Sequence, residues 1–184
     1  MKIFYLTLVL MTILLPLKAN ATQVRVQKSA EGYKLIVDGK DFLIKGMNWD
    51  YFPIGTNYTY SLWEQPDATI KEVLKSEMTM LNKIGVNTLR VYTGIPKKWI
   101  AYIYENYGIY TMLNHSFGRY GLTLGDVWFE NTEYDDPRVK KLLLRETTQL
   151  AQEYKNTPGL LLYLLGNENN YSLFWKSDEN TPNT

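Results

Sequence analysis

Residues 160–166, LLLYLLG, carry no charge, and Asn167-Glu168-Asn169 follow at once. A carboxylate framed by amides at the end of an apolar run suits proton transfer, since burial favours the proton-bearing form of a carboxyl group. Three other stretches end in a similar way: Asn48-Trp49-Asp50, Arg90-Val91-Tyr92 and Asn114-His115-Ser116. Together the four endings offer a carboxylate, a guanidinium, an imidazole, several amides, an indole and a phenol. Amides and charged groups bind hydroxyls, and aromatic faces stack on sugar rings, so the set suits a carbohydrate-like pocket. Each member also has a plainer reading. Asn and Asp form turns, Arg90 can pair with Glu168 or Asp50, His115 can be a hydrogen-bonded structural residue, and Trp49 and Tyr92 can be core. Coincidence at all four endings favours a site.

The elements that must position these residues follow from periodicity. QVRVQ and YKLIVDGKDFLIKGMNW alternate apolar with polar residues around Asp38-Gly39, a hairpin signal, and the second run is expected to continue as strand to Asn48. Over Asp67 to Ile84 the period becomes helical: Ile70, Val73, Leu74, Met78, Leu81 and Ile84 share a face. Thr69 with Glu72 suggests a capping box, and Gly85 a left-handed end. VNTLRVY (86–92) reads as strand. Pro96 opens a helix with Trp99, Ile100, Ile103 and Tyr107 on one face, and Gly108 closes it. IYTMLNHS (109–116) is the next strand. A loop with Gly118, Gly121 and Gly125 leads to Asp136-Pro137, an N-cap and first-turn proline. The helix over 137–155 is expected to bury Val139, Leu142, Leu143, Leu150 and Tyr154, and a strand over 160–166 follows.

Strands alternating with helices through short connections imply parallel strands joined by crossovers. Strands apolar on both faces imply a sheet covered on both sides. An open doubly wound sheet and half of a (β/α)8 barrel both fit. In either, ligands gather at the C-terminal edge of the strands, where all four polar endings lie.

Composition closes off several classes. The chain has 184 residues, 45% of them hydrophobic, enough for a substantial core. Lys2, the apolar run Ile3–Leu17 and Ala19-Asn20-Ala21 read as a cleavable export leader over 1–21, which places the mature chain outside the cytoplasm, secreted or periplasmic. The run is short for a membrane span, and no stable span is expected after cleavage. Without Lys2 and Lys18, 18 basic side chains face 19 acidic ones, which gives no electrostatic case for nucleic acid. Cysteine is absent and His115 is the single histidine, so disulfide, thiol and multi-histidine metal chemistry are excluded, and no cofactor is expected. There is no GxSxG elbow, and GRYGLTLG (118–125) matches neither a dinucleotide fingerprint nor a phosphate loop.

FLIKGMNW, GVNTLRVY and GLLLYLLGNEN resemble the catalytic barrel of clan A retaining glycoside hydrolases, most closely family two of the β-galactosidase and β-glucuronidase type. Fungal β-1,3-glucanosyltransferases share a similar start and GNE ending. The likeness covers roughly residues 35–170. It implies an α/β fold, the N-terminal half of a (β/α)8 TIM barrel, with about four parallel strands and three crossover helices behind a short β-hairpin. It divides the chain into a leader (1–21), a hairpin segment (22–41), a partial barrel (42–175) and a tail (176–184). The same likeness makes Glu168 the general acid/base and Asn167 the ligand of the sugar 2-hydroxyl. Arg90 becomes the arginine that keeps the nucleophile ionised. Asn48, Trp49, His115 and Tyr92 become pocket residues.

A retaining mechanism needs two carboxyl groups about 5–5.5 Å apart. The family's nucleophile ends a seventh strand, so the resemblance implies that this chain is the N-terminal part of a barrel, lacks the nucleophile and is inactive alone. The expected activity is hydrolysis of O-glycosidic bonds in a β-linked oligo- or polysaccharide. The alternatives are a β-glucanosyltransferase and a non-catalytic carbohydrate-binding barrel.

Overall fold

The computed structural model describes residues 21–92 and 94–168. Nearly all of the leader, the whole tail and Asn169 lie outside these residues. The first sheet is antiparallel and joins β1 (Val24–Ser29), β2 (Gly32–Val37) and β3 (Lys40–Asp41) in that order. Asp38 and Gly39 both take positive φ, 48° and 82°, the backbone that lets a two-residue turn follow the twist of its strands. The expected hairpin over 22–41 is thus part of a three-stranded sheet, with a second tight turn at Ala30-Glu31.

The strand expected to run on to Asn48 is divided. β3 stops at Asp41, and β4 (Gly46–Asn48) belongs to a different sheet. Asn87 holds the link between them: its amide accepts from Lys45 N at 2.8 Å and donates to Leu43 O at 2.9 Å.

The second sheet is parallel and four-stranded, in the order β4, β5 (Thr88–Tyr92), β6 (Tyr110–His115) and β9 (Leu160–Leu165). Three helices connect it: α1 (Asp67–Lys83), α2 (Lys97–Tyr107) and α3 (Pro137–Tyr154). Between β6 and α3 lies a short antiparallel hairpin, β7 (Leu122–Leu124) with β8 (Val127–Phe129), in a stretch that reads as loop because each strand is only three residues long.

Side chains of a strand alternate between faces, and here the two faces differ. Leu89, Val91 and Leu113 point to the same side and pack with Ile70, Leu74, Met78 and Leu81 of α1, Trp99, Ile100 and Ile103 of α2, and Tyr154 of α3. Burying one such aliphatic side chain contributes about 1.5–3 kcal/mol. The opposite side carries Arg90, Met112, Leu162 and Leu164, all partly exposed. Coverage on both faces, expected from the apolar strands, is therefore not found among the described residues. Burial also falls along β9: Leu160 and Leu161 are buried, while Leu165, on the helix-facing side with His115, is 52% exposed. Among the described residues β9 is an edge strand, paired on one side.

Helix ends follow the sequence with one exception. Gly108 closes α2 at φ 67°, and Asp136 caps α3 by accepting from Arg138 N at 2.7 Å. The Thr69–Glu72 capping box does not form. The N-cap of α1 is Pro66, three residues before Thr69, so Thr69 already lies inside the helix. Ile84, assigned to the buried face, is the exposed C-cap of α1, and Gly85 follows it at φ 83°. The first half of α3 packs through Val139 and Leu143 against Leu122 of β7, in a second small cluster. No helix among the described residues is long and apolar enough to cross a membrane.

Candidate active site

The parallel register sets the polar endings side by side. Asn48 is opposite Arg90, and Tyr92 is opposite Asn114. Arg90, two residues before the end of β5, is the hub. Its Nε and Nη2 donate to Asn114 Oδ1 at 3.2 and 2.6 Å, and Nη2 also donates to Asn167 Oδ1 at 2.6 Å. One guanidinium thus ties together β5, β6 and the segment leaving β9. Its plane lies over the Tyr92 ring, 5.5 Å from the centroid, a cation–π arrangement.

Both acceptors are neutral amides. Among the described residues Arg90 makes no ion pair, so pairing with Glu168 or Asp50 is not what holds it. A guanidinium without a compensating carboxylate keeps its charge available to an anion.

After β9, Gly166 takes φ 117° and donates to His115 O at 2.7 Å. Asn167 and Glu168 then turn over the sheet edge. Asn167 spends its oxygen on Arg90 and donates through Nδ2 to the Tyr120 hydroxyl. Glu168 adopts φ 53° and is exposed. The burial expected to favour its proton-bearing form is absent among the described residues, because the chain leaves the sheet before reaching it. Its Oε2 accepts from the Tyr120 hydroxyl at 3.3 Å, and its backbone oxygen accepts from Arg119 Nε at 2.9 Å.

The structure brings Asn48, Arg90, Tyr92, Asn167 and Glu168 to this rim and sends two other candidates elsewhere. Trp49 is 7% exposed within the main core, and its Nε1 donates to Glu77 Oε2 on α1 at 3.3 Å. His115 accepts at Nδ1 from Phe117 N at 3.0 Å, and its Nε2 lies 3.7 Å from Glu146 Oε2 on α3. Both belong to the helix-facing parity of their strands. The same parity identifies Asn114, a neighbour of His115 that sequence reasoning placed in a polar ending without a role. It shares the face of Arg90 and is 1% exposed. Tyr120 and Arg119 carry no such signal beyond the two glycines that flank them.

Among the described residues no cluster of three or more metal-ligating side chains occurs. What the rim can do chemically is present one carboxylate, an oriented amide and a cation to a polyhydroxylated ligand.

No family model matches the chain. It is 30% identical over 135 residues to a probable 1,3-beta-glucanosyltransferase of Saccharomyces cerevisiae, covering 71% of this chain and 24% of that protein. It is 23% identical over 139 residues to a beta-galactosidase of Lactococcus lactis subsp. lactis, covering 75% of this chain and 12% of that protein. An exo-chitosanase of Amycolatopsis orientalis superposes with a TM-score of 0.46 at 18% identity, over 77% of this chain and 15% of that one. The chain thus spans less than a quarter of the curated relatives it matches. By name, these two relatives are a probable glucanosyltransferase and a beta-galactosidase.

Proposed function

We propose that the chain carries the acid/base side of a retaining glycosidase site acting on a β-linked glycan, within an α/β barrel whose first four strands are β4, β5, β6 and β9. The observation that carries this reading is the Arg90 clamp, which holds Asn114 and Asn167 together one residue before Glu168. In this reading Glu168 protonates the leaving glycosidic oxygen and then deprotonates the incoming water or acceptor sugar. Because Arg90 occupies the oxygen of Asn167, the amide NH2 end faces away from the guanidinium. One N–H reaches Tyr120, and the other is left to donate to a sugar hydroxyl. The unneutralised charge of Arg90 suits a nearby ionised carboxylate. The second carboxylate of the mechanism is not assigned among the described residues.

The glucanosyltransferase relative supports transfer to an acceptor sugar as a variant of the same chemistry. The exposure of Glu168 favours a second reading, a rim that binds β-linked oligosaccharides without turning them over. The substrate is proposed as an oligo- or polysaccharide outside the cytoplasm, given the leader-like start.

Kinetics on the complete protein separate these readings. Glu168→Gln is expected to lower turnover of a β-glycoside with a poor leaving group by roughly 10²–10⁴-fold, with a smaller loss when the leaving group is good. Undiminished turnover of the poor substrate would remove Glu168 from the acid role. Binding of β-linked oligosaccharide with no turnover by the wild-type protein would establish the second reading.

A further inference from the structure

The glycine-flanked stretch Gly118-Arg119-Tyr120-Gly121 matches no phosphate-binding pattern, and the scheme above leaves it without a role. Its geometry supplies one. We infer that this loop is the positioning element for Glu168, with the Tyr120 hydroxyl coupling the carboxylate to Asn167. The inference rests on the acid/base reading for its catalytic meaning, but not for its geometry.

Three observations converge. First, the Tyr120 hydroxyl sits between the two groups, accepting from Asn167 Nδ2 and donating to Glu168 Oε2. A hydroxyl has one proton and two acceptor sites, so the Asn167 contact directs the single proton to the carboxylate. Second, Glu168 has the left-handed backbone, φ 53°, uncommon for a residue with a side chain and typical of functional positions. Arg119 Nε holds the carbonyl of that same residue. The loop therefore grips Glu168 at backbone and carboxylate together, and the Arg119 guanidinium also lies over the Tyr120 ring.

Third, the loop is braced from outside. Phe117 N donates to His115 Nδ1, Phe117 O accepts from the Tyr134 hydroxyl, and Gly118 O accepts from the Thr132 hydroxyl. A Cβ on Gly121 would come within 2.5 Å of the Trp128 ring and 2.6 Å of Phe129 O, so the β7–β8 hairpin closes directly onto it. Both glycines take positive φ, 76° and 96°. This also gives His115 a use: it anchors the loop that holds Glu168.

The test is an NMR comparison of wild type with Tyr120→Phe, reading the side-chain NH2 signals of Asn167, assigned by their loss in Asn167→Asp. Moved signals support the inference, and signals left in place overturn it. With Tyr120 kept, the signal of its ring carbon bearing oxygen should move in Glu168→Gln. Absence of that move overturns the coupling even if Tyr120→Phe folds poorly.

In the complete protein, Tyr120→Phe should lower kcat by roughly five- to tenfold on a poor leaving group. KM should stay nearly constant. The NMR shift without an effect of Glu168→Gln on turnover would keep the geometry and discard the acid/base reading. Turnover dependent on Glu168 with no NMR shift would do the reverse.

Discussion

The two faces of the parallel sheet are written by the same residues taken alternately, yet they obey different rules. Toward the helices, Leu89 and Leu113 are fully buried and Val91 nearly so, in one continuous apolar cluster. On the other side, Arg90 donates two hydrogen bonds to Asn114 on the neighbouring strand, and Tyr92 is 42% exposed. The first face gains from exclusion of water and tolerates no gap. The second is held by directional bonds among few groups, so its integrity is a matter of geometry rather than area. Stability and chemistry are thus separated by one step along the chain.

Leu113 and Asn114 allow the sharpest comparison, being adjacent and equally buried. Leu113→Ala should cost about 2–5 kcal/mol, because it leaves a cavity under α1 and α2, measured by urea denaturation. Asn114→Ala removes an acceptor from a guanidinium and should cost about 1.5–3 kcal/mol. It should also weaken binding of β-linked oligosaccharides by calorimetry, an effect Leu113→Ala should not show while folded. Equal binding losses in both variants would erase the division between the faces.

A smaller effect comes from the phenols near the helix side. Burial raises the pKa of Tyr154 and Tyr163 above the ordinary value, and neighbouring charge adds to it for Tyr154. A phenol whose pKa is higher folded than unfolded contributes stability fully present below about pH 10 and lost as pH rises above it. Thermal melts should therefore weaken progressively in alkali. Tyr154→Phe should flatten that decline, while removing the Ile95 O bond at 2.8 Å costs about 1 kcal/mol near neutrality. An unchanged alkaline slope would mean that Tyr154 does not contribute to it.

Much of this was legible in the sequence. The Gly108 stop, the Asp136-Pro137 start and the alternation of strands with helices are local signals, and they appear where local chemistry puts them. The four polar endings were legible too, but not which members of each ending meet. Parity within a strand decides that, and it turns Trp49 and His115 toward the helices while leaving Asn48 and Asn114 with Arg90. The break between β3 and β4 and the three-residue strands of the β7–β8 hairpin were not legible, since alternation continues across the first and is too short in the second. Tyr120 owes its place to contacts 47 and 48 residues away, which no pattern in its own stretch encodes.

The Arg90–Asn167 bond has a consequence for the order of assembly. It joins residues 77 apart in sequence, whereas β5, α2 and β6 follow one another closely. Contacts of high sequence separation bear the entropy of closing the intervening chain. However early the β5–α2–β6 unit forms, the rim does not exist until β9 has docked beside β6. Recovery of secondary structure in a refolding experiment and recovery of ligand binding are therefore two separate clocks, and only the second reports that the final strand is in place.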